Sequence, residues 1–176
     1  MHVLQHIAVT AESAEEAFHS VESTFNEQYS ESEGLGGWSD WYVVGGGRWN
    51  SNPSNQYKDS WNDVVAFANA PDKFRSIVQN ALESRVEEMG RIKEKLDYSQ
   101  FANLVDEFMS DPDVSSNRWD MSTYYILTAA KILNGTWNQD SYFYDLENYT
   151  TTPKYMLESI DNGRNDWYLV PVDFHF

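Results

Sequence analysis

Three consecutive glycines, Gly45-Gly46-Gly47, follow Trp41-Tyr42-Val43-Val44 and precede Arg48-Trp49. Glycine loses most entropy in regular backbone and alone enters positive φ freely, so the chain must turn here. Trp38, Trp41, Tyr42 and Trp49 surround the turn, and Arg48 is the first lysine or arginine of the chain. Flat rings, close backbone approach and one guanidinium in acidic sequence suit contact with a ligand or partner. The candidate binding residues are therefore Trp38, Asp40, Trp41, Tyr42, Gly46, Gly47, Arg48 and Trp49. A phosphate-binding loop would carry a lysine followed by serine or threonine and would open a helix. Neither feature follows Gly47, so a bulged hairpin or a positive-φ turn is expected. Asp40 and Arg48 either pair across that turn, or Arg48 meets a phosphate or carboxylate while Trp41 or Trp49 stacks on the ligand.

Around this turn the pattern alternates between strand and helix. His2 to Thr10 has period two, with Val3, Ile7 and Val9 on one face and His2, His6 and Thr10 on the other. Ser13-Ala14-Glu15-Glu16 has the form of a capping box, and Phe18, Val21 and Phe25 follow at helical spacing. Residues 61–110 read as a helical insertion, with a short helix over Val64 to Ala68 and a long one starting at Pro71. Thr123 to Leu133 is β-branched and aromatic, and Asn134-Gly135 suggests a hairpin into Thr136-Trp137. Pro153 opens a helix that Asn162-Gly163 ends, and Trp167 to Phe176 reads as a last strand that Pro171 assigns to an edge or a bulge. This order predicts one α+β domain over residues 1–176, an antiparallel sheet covered on one face by helices.

The 28 acidic residues against 12 Lys+Arg give a net charge of −16, which opposes direct nucleic-acid binding and anionic membranes. A partner with a basic surface is compatible with it, and so is a carboxylate ladder that mimics nucleic acid. With no cysteine there is no disulfide framework or thiolate chemistry. No apolar run reaches membrane-spanning length and the N-terminus lacks the pattern of a signal peptide, so a cytoplasmic protein is expected. No sequence motif calls for a cofactor or a metal, and oligomeric state is not legible.

One constellation could carry catalysis. His2 and His6 share one face of the first strand, and Asp173 and His175 share one face of the last. If those strands are neighbours, His6, Asp173 and His175 could assemble into a group that binds a metal or serves as general acid and base, with Arg48 holding an anion. Asp111-Pro112-Asp113 reads as a turn, and Ser115 and Ser116 lack a nucleophile context.

Asp40-Trp41-Tyr42-Val43-Val44-Gly45-Gly46-Gly47-Arg48-Trp49 resembles a D-W-Y-x-x-G-G-R-W signature of small proteins encoded by bacteriophages and prophages. Leu133-Asn134-Gly135-Thr136-Trp137 is similar to the x-D-G-x-W segment of that group, and Val172-Asp173-Phe174-His175-Phe176 to its V-D-x-H-x ending. The chain departs from the pattern by an extra glycine before Arg48 and by Phe174 between Asp173 and His175, where the resemblance leads one to expect a smaller residue. The resemblance implies viral origin and transfers no activity. The expected function is an accessory binding protein in the host bacterial cytoplasm that blocks a host or defence protein or sequesters a small anionic ligand. The alternative is an enzyme acting on a nucleotide or phosphoester through His6, Asp173 and His175.

Overall fold

The computed structural model describes residues 1–30, 40–56, 58, 60–96, 98–110, 121–138 and 141–175. Trp38, the Asp111-Pro112-Asp113 turn and Ser115-Ser116 lie outside them. The period-two segment forms β1 (His2–Thr10), and the capping box opens α1 (Ala14–Ser30). Ser13 Oγ accepts from the Glu16 amide at 3.1 Å, while the Glu16 carboxylate reaches back to the Glu12 amide at 2.7 Å. The chain continues through β2 (Trp41–Val44), β3 (Val65–Ala66), α2 (Pro71–Lys95), α3 (Tyr98–Ser110), α4 (Met121–Asn134), β4 (Phe143–Asp145), α5 (Lys154–Asp161) and β5 (Trp167–His175).

The sheet is built around β5. β1 runs antiparallel along one side of it, from His2 opposite His175 to Thr10 opposite Trp167. β2 and β3 share the other side, β2 beside Val172 to His175 and β3 beside Tyr168 and Leu169. β4 pairs in parallel with the outer side of β1. The chain is thus α+β, with a mostly antiparallel five-stranded sheet and a long mid-chain helix, as the sequence pattern predicts. Helices lie against both faces, where the sequence pattern predicts one covered face. Phe18, Val21 and Phe25 of α1 pack on Ile7, Val9, Val170, Val172 and Phe174. Phe74 and Val78 of α2 and Met156 and Ile160 of α5 pack on Ala8, Phe143, Trp167 and Leu169.

Four local expectations are corrected. Pro171 lies in the central strand rather than at an edge. In a strand the N–H and C=O of one residue point to the same side, and the Pro171 carbonyl accepts from Gly45 N at 2.8 Å, on the β2 side. The missing donor therefore falls in the gap between β2 and β3, where no ladder bond is lost. Val65 and Ala66 form a strand rather than part of a short helix, because β5 offers them an edge there. Thr123 to Leu133 is helical, so packing of α4 against α2 and α3 overrides its β propensity. Gly135, at φ +67°, ends α4 instead of making a hairpin. Its amide donates to Ile132 O and that of Thr136 to Lys131 O, the paired bonds of a Schellman cap. Arg85 of α2 reinforces this end by donating to the Ile132 carbonyl at 2.6 Å and to Thr151 O at 2.9 Å.

Candidate functional site

The glycine triplet does not form a hairpin. β2 pairs only with β5 among the described residues, and the triplet leads into a single 3-10 turn over Gly47–Trp49. Its three φ angles are +95°, +93° and +50°. Close approach adds a second requirement for glycine. A Cβ on Gly45 would lie 2.1 Å from the Ser60 carbonyl oxygen, and one on Gly47 2.5 Å from the Asp173 carboxylate. Gly46 rests against the Pro171 ring. The amide this turn exposes does bind an anion, but an internal one. The Arg48 N–H donates to Asp173 Oδ2 at 3.0 Å. Asp173 is completely buried, so its charge must be met by such donors.

The other Asp173 oxygen, Oδ1, lies 2.9 Å from His2 Nδ1. Adjacency of β1 and β5 therefore assembles a His–Asp–His group, but with His2 in place of His6. The register sets His2 opposite His175 and Leu4 opposite Asp173, so His2 reaches the carboxylate diagonally. His6 sits opposite Pro171, four residues further along the strand, roughly 13 Å from the position of His2. Burial, with a smaller contribution from the Lys73 charge, pushes the His6 pKa down to about 4, so at neutral pH it is an uncharged imidazole. His175 Nδ1 lies 3.0 Å from Asp40 Oδ2. Because a carboxylate can only accept, Nδ1 of each ring carries the shared proton and Nε2 is left for other work. The His2 and His175 ring centroids are 4.8 Å apart.

Aromatic side chains surround this pair. Trp41 stacks on His175 at 5.0 Å with 8° between the planes, and Trp41 and Trp49 both meet the His2 ring edge-on. The Asp40 carboxylate is thus engaged by His175, not by Arg48. The exposed Arg48 guanidinium lies over the Trp49 ring at 5.4 Å and has no carboxylate partner among the described residues. Tyr42 does not join the cluster. Strand alternation turns it to the opposite face, where it packs on Phe25 and Phe174 and its hydroxyl donates to Asn26. Asp40, Trp41, Gly46, Gly47, Arg48, Trp49, Asp173 and His175 come together, while Tyr42 lies on the opposite face and His6 shares their face of the sheet without reaching Asp173. Among the described residues no group of three or more His, Asp or Glu side chains is arranged to hold a metal ion. No described helix is long and apolar enough to cross a membrane.

The three segments that carry the phage resemblance meet at this end of β5. Residues 40–49 border it, and Trp137 lies beside Phe174 with 6.3 Å between ring centroids. The Trp137 indole N–H donates to the buried Gln5 Oε1 at 2.6 Å. The role of His2 could be read from its strand face, but the role of Gln5 had no sequence signal beyond a polar residue in an apolar strand. Comparison with family models, curated proteins and solved structures finds no match for the chain.

Proposed function

We propose that this is a phage-encoded accessory binding protein that acts in the host cytoplasm by occupying a host or defence protein. The observation that carries this reading is the exposed Arg48 guanidinium lying over the exposed Trp49 ring. Arginine and tryptophan dominate binding energy at protein interfaces, and here both sit on a turn braced from beneath by Asp173. The surrounding charge of −16 favours a basic partner surface and leaves room for acidic mimicry of nucleic acid. Arg48 and Trp49 then supply the local anchor. Arg48→Ala removes the guanidinium but keeps the amide that holds Asp173. It is expected to weaken capture of the partner from bacterial lysate by roughly 30-fold, at an unchanged melting temperature. Undiminished capture, or a collapse in stability, would overturn this reading.

The His2–Asp173 pair specifically favours a second reading, an enzyme acting on a nucleotide or phosphoester. A buried carboxylate that fixes the tautomer of a partly exposed imidazole is the arrangement a general base requires. On this reading His2 and His175 take the roles assigned from sequence to His6 and His175. Hydrolysis of a generic phosphodiester such as bis-p-nitrophenyl phosphate should be lost in His2→Gln and retained in His6→Gln. Equal rates in the two variants, or none above buffer in the unmodified protein, exclude it.

A further inference from the structure

An open groove of about 550 Å³ lies between α2 and the His2–His6 end of β1. Along α2 the buried residues Phe74, Val78 and Ala81 are followed by none until Ile92, and the stretch between borders the groove with Ser84 and Arg91. The volume is that of an ordinary small-molecule site. Its chemistry is set apart from the rest of the surface. In a chain with 28 acidic residues, none of the described residues lining it is Asp or Glu. The wall instead combines Trp49 and Tyr142, the polar groups of His6, Asn80 and Ser84, and the guanidinium of Arg91. Lys73 adds positive charge near His6. Arg91 pairs with Glu88 of its own helix, yet its five donors leave capacity for a second anion.

We infer that this groove binds a small planar heterocycle carrying one anionic group, with Trp49 as the stacking wall, Asn80 and His6 at the ring edge and Arg91 at the anion. Indole and phenol rings favour a flat ligand face. A neutral imidazole, an amide and a hydroxyl offer both donors and acceptors to a heterocycle edge. One guanidinium among such groups selects a single phosphate or carboxylate over a polyanion, which the surrounding negative charge repels. Nucleoside monophosphates and heteroaromatic carboxylates share this chemistry.

The groove shares Trp49 with the Arg48 face and His2 with the Asp173 site, whereas Asn80 and Arg91 belong to the groove alone, so variants at those two positions test it separately from either reading. Isothermal calorimetry with AMP, adenosine and nicotinate tests it. Binding of AMP identifies a phosphate ligand, and binding of nicotinate alone a carboxylate. Arg91→Ala should weaken the bound anion about fivefold, leaving any adenosine binding unchanged. Asn80→Trp, at an exposed helix position, should fill the groove and abolish binding while preserving the melting temperature and partner capture. Absence of binding by both anions, equal affinity in Asn80→Trp, or indifference to Arg91→Ala overturns the assignment.

Discussion

Gly45→Ala should destabilise the protein by roughly 3 kcal/mol, a melting-temperature loss on the order of 10 °C for a domain of this size. The added Cβ would meet the Ser60 carbonyl oxygen at 2.1 Å with φ held at +95°. Relief by movement is blocked on both sides. The Gly45 amide donates to Pro171 O, and the Gly45 carbonyl accepts from the Asn50 side chain, each at 2.8 Å. Gly90→Ala is the control. Gly90 is exposed within α2, a methyl group there would have nothing within 4 Å, and alanine should add about 1 kcal/mol by helix propensity. Thermal melting of the two variants in parallel checks the prediction, and a Gly45→Ala protein as stable as the parent would refute the turn geometry.

The second large effect is a pH dependence set by His6. Its folded-state pKa is about 4 against an ordinary 6.5, because the charged form is penalised by burial and by Lys73. Between those two values the unfolded chain takes up a proton that the folded chain refuses. Stability from this group is therefore fully present above about pH 6.5 and falls as the pH drops through the window, by a total of about 3 kcal/mol near pH 4. His6→Gln keeps a neutral polar side chain and cannot titrate. Urea unfolding at pH 7 and pH 4.5 should show a steeper loss in the parent than in the variant, by about 2–3 kcal/mol. Parallel losses would mean that His6 protonates as readily in the folded protein as in the unfolded one.

Local chemistry was legible wherever one segment decides its own structure. The alternation of β1, the Ser13 cap, Pro71 at the start of α2 and the limits of α5 at Pro153 and Gly163 all follow from neighbouring residues. The misreadings share another cause. Thr123 to Leu133 has strand-like composition, and only its packing on α2 and α3 makes it α4. Pro171 signals an edge by its own chemistry, whereas its tolerance depends on where β2 stops and β3 starts.

The site was half-legible for the same reason. Period-two parity places His2 and His6 on one face and Asp173 and His175 on another, and strand adjacency merges the two faces. Which histidine meets the carboxylate is a matter of inter-strand offset, and no residue within either strand states it. Likewise, glycines aimed at an anion were visible in residues 45–47, but not that the anion is Asp173, 125 residues away from Arg48 along the chain.

The position of β5 has a consequence for the order in which the molecule can be built. Among the described strands, β2 and β3 have no partner except β5, and β1 without it retains only the short pairing with β4. Until residues 167–175 leave the ribosome, β2 and β3 have no strand to pair with, β1 has only its short pairing with β4, and Phe18, Val21 and Phe25 have little of their sheet to cover. Helices can form as they emerge, but the tertiary structure is held back to the end of the described chain and closes in one long-range step. During that interval the acidic composition keeps the nascent chains mutually repulsive, and the Arg48–Trp49 turn does not exist until the strand that braces it arrives.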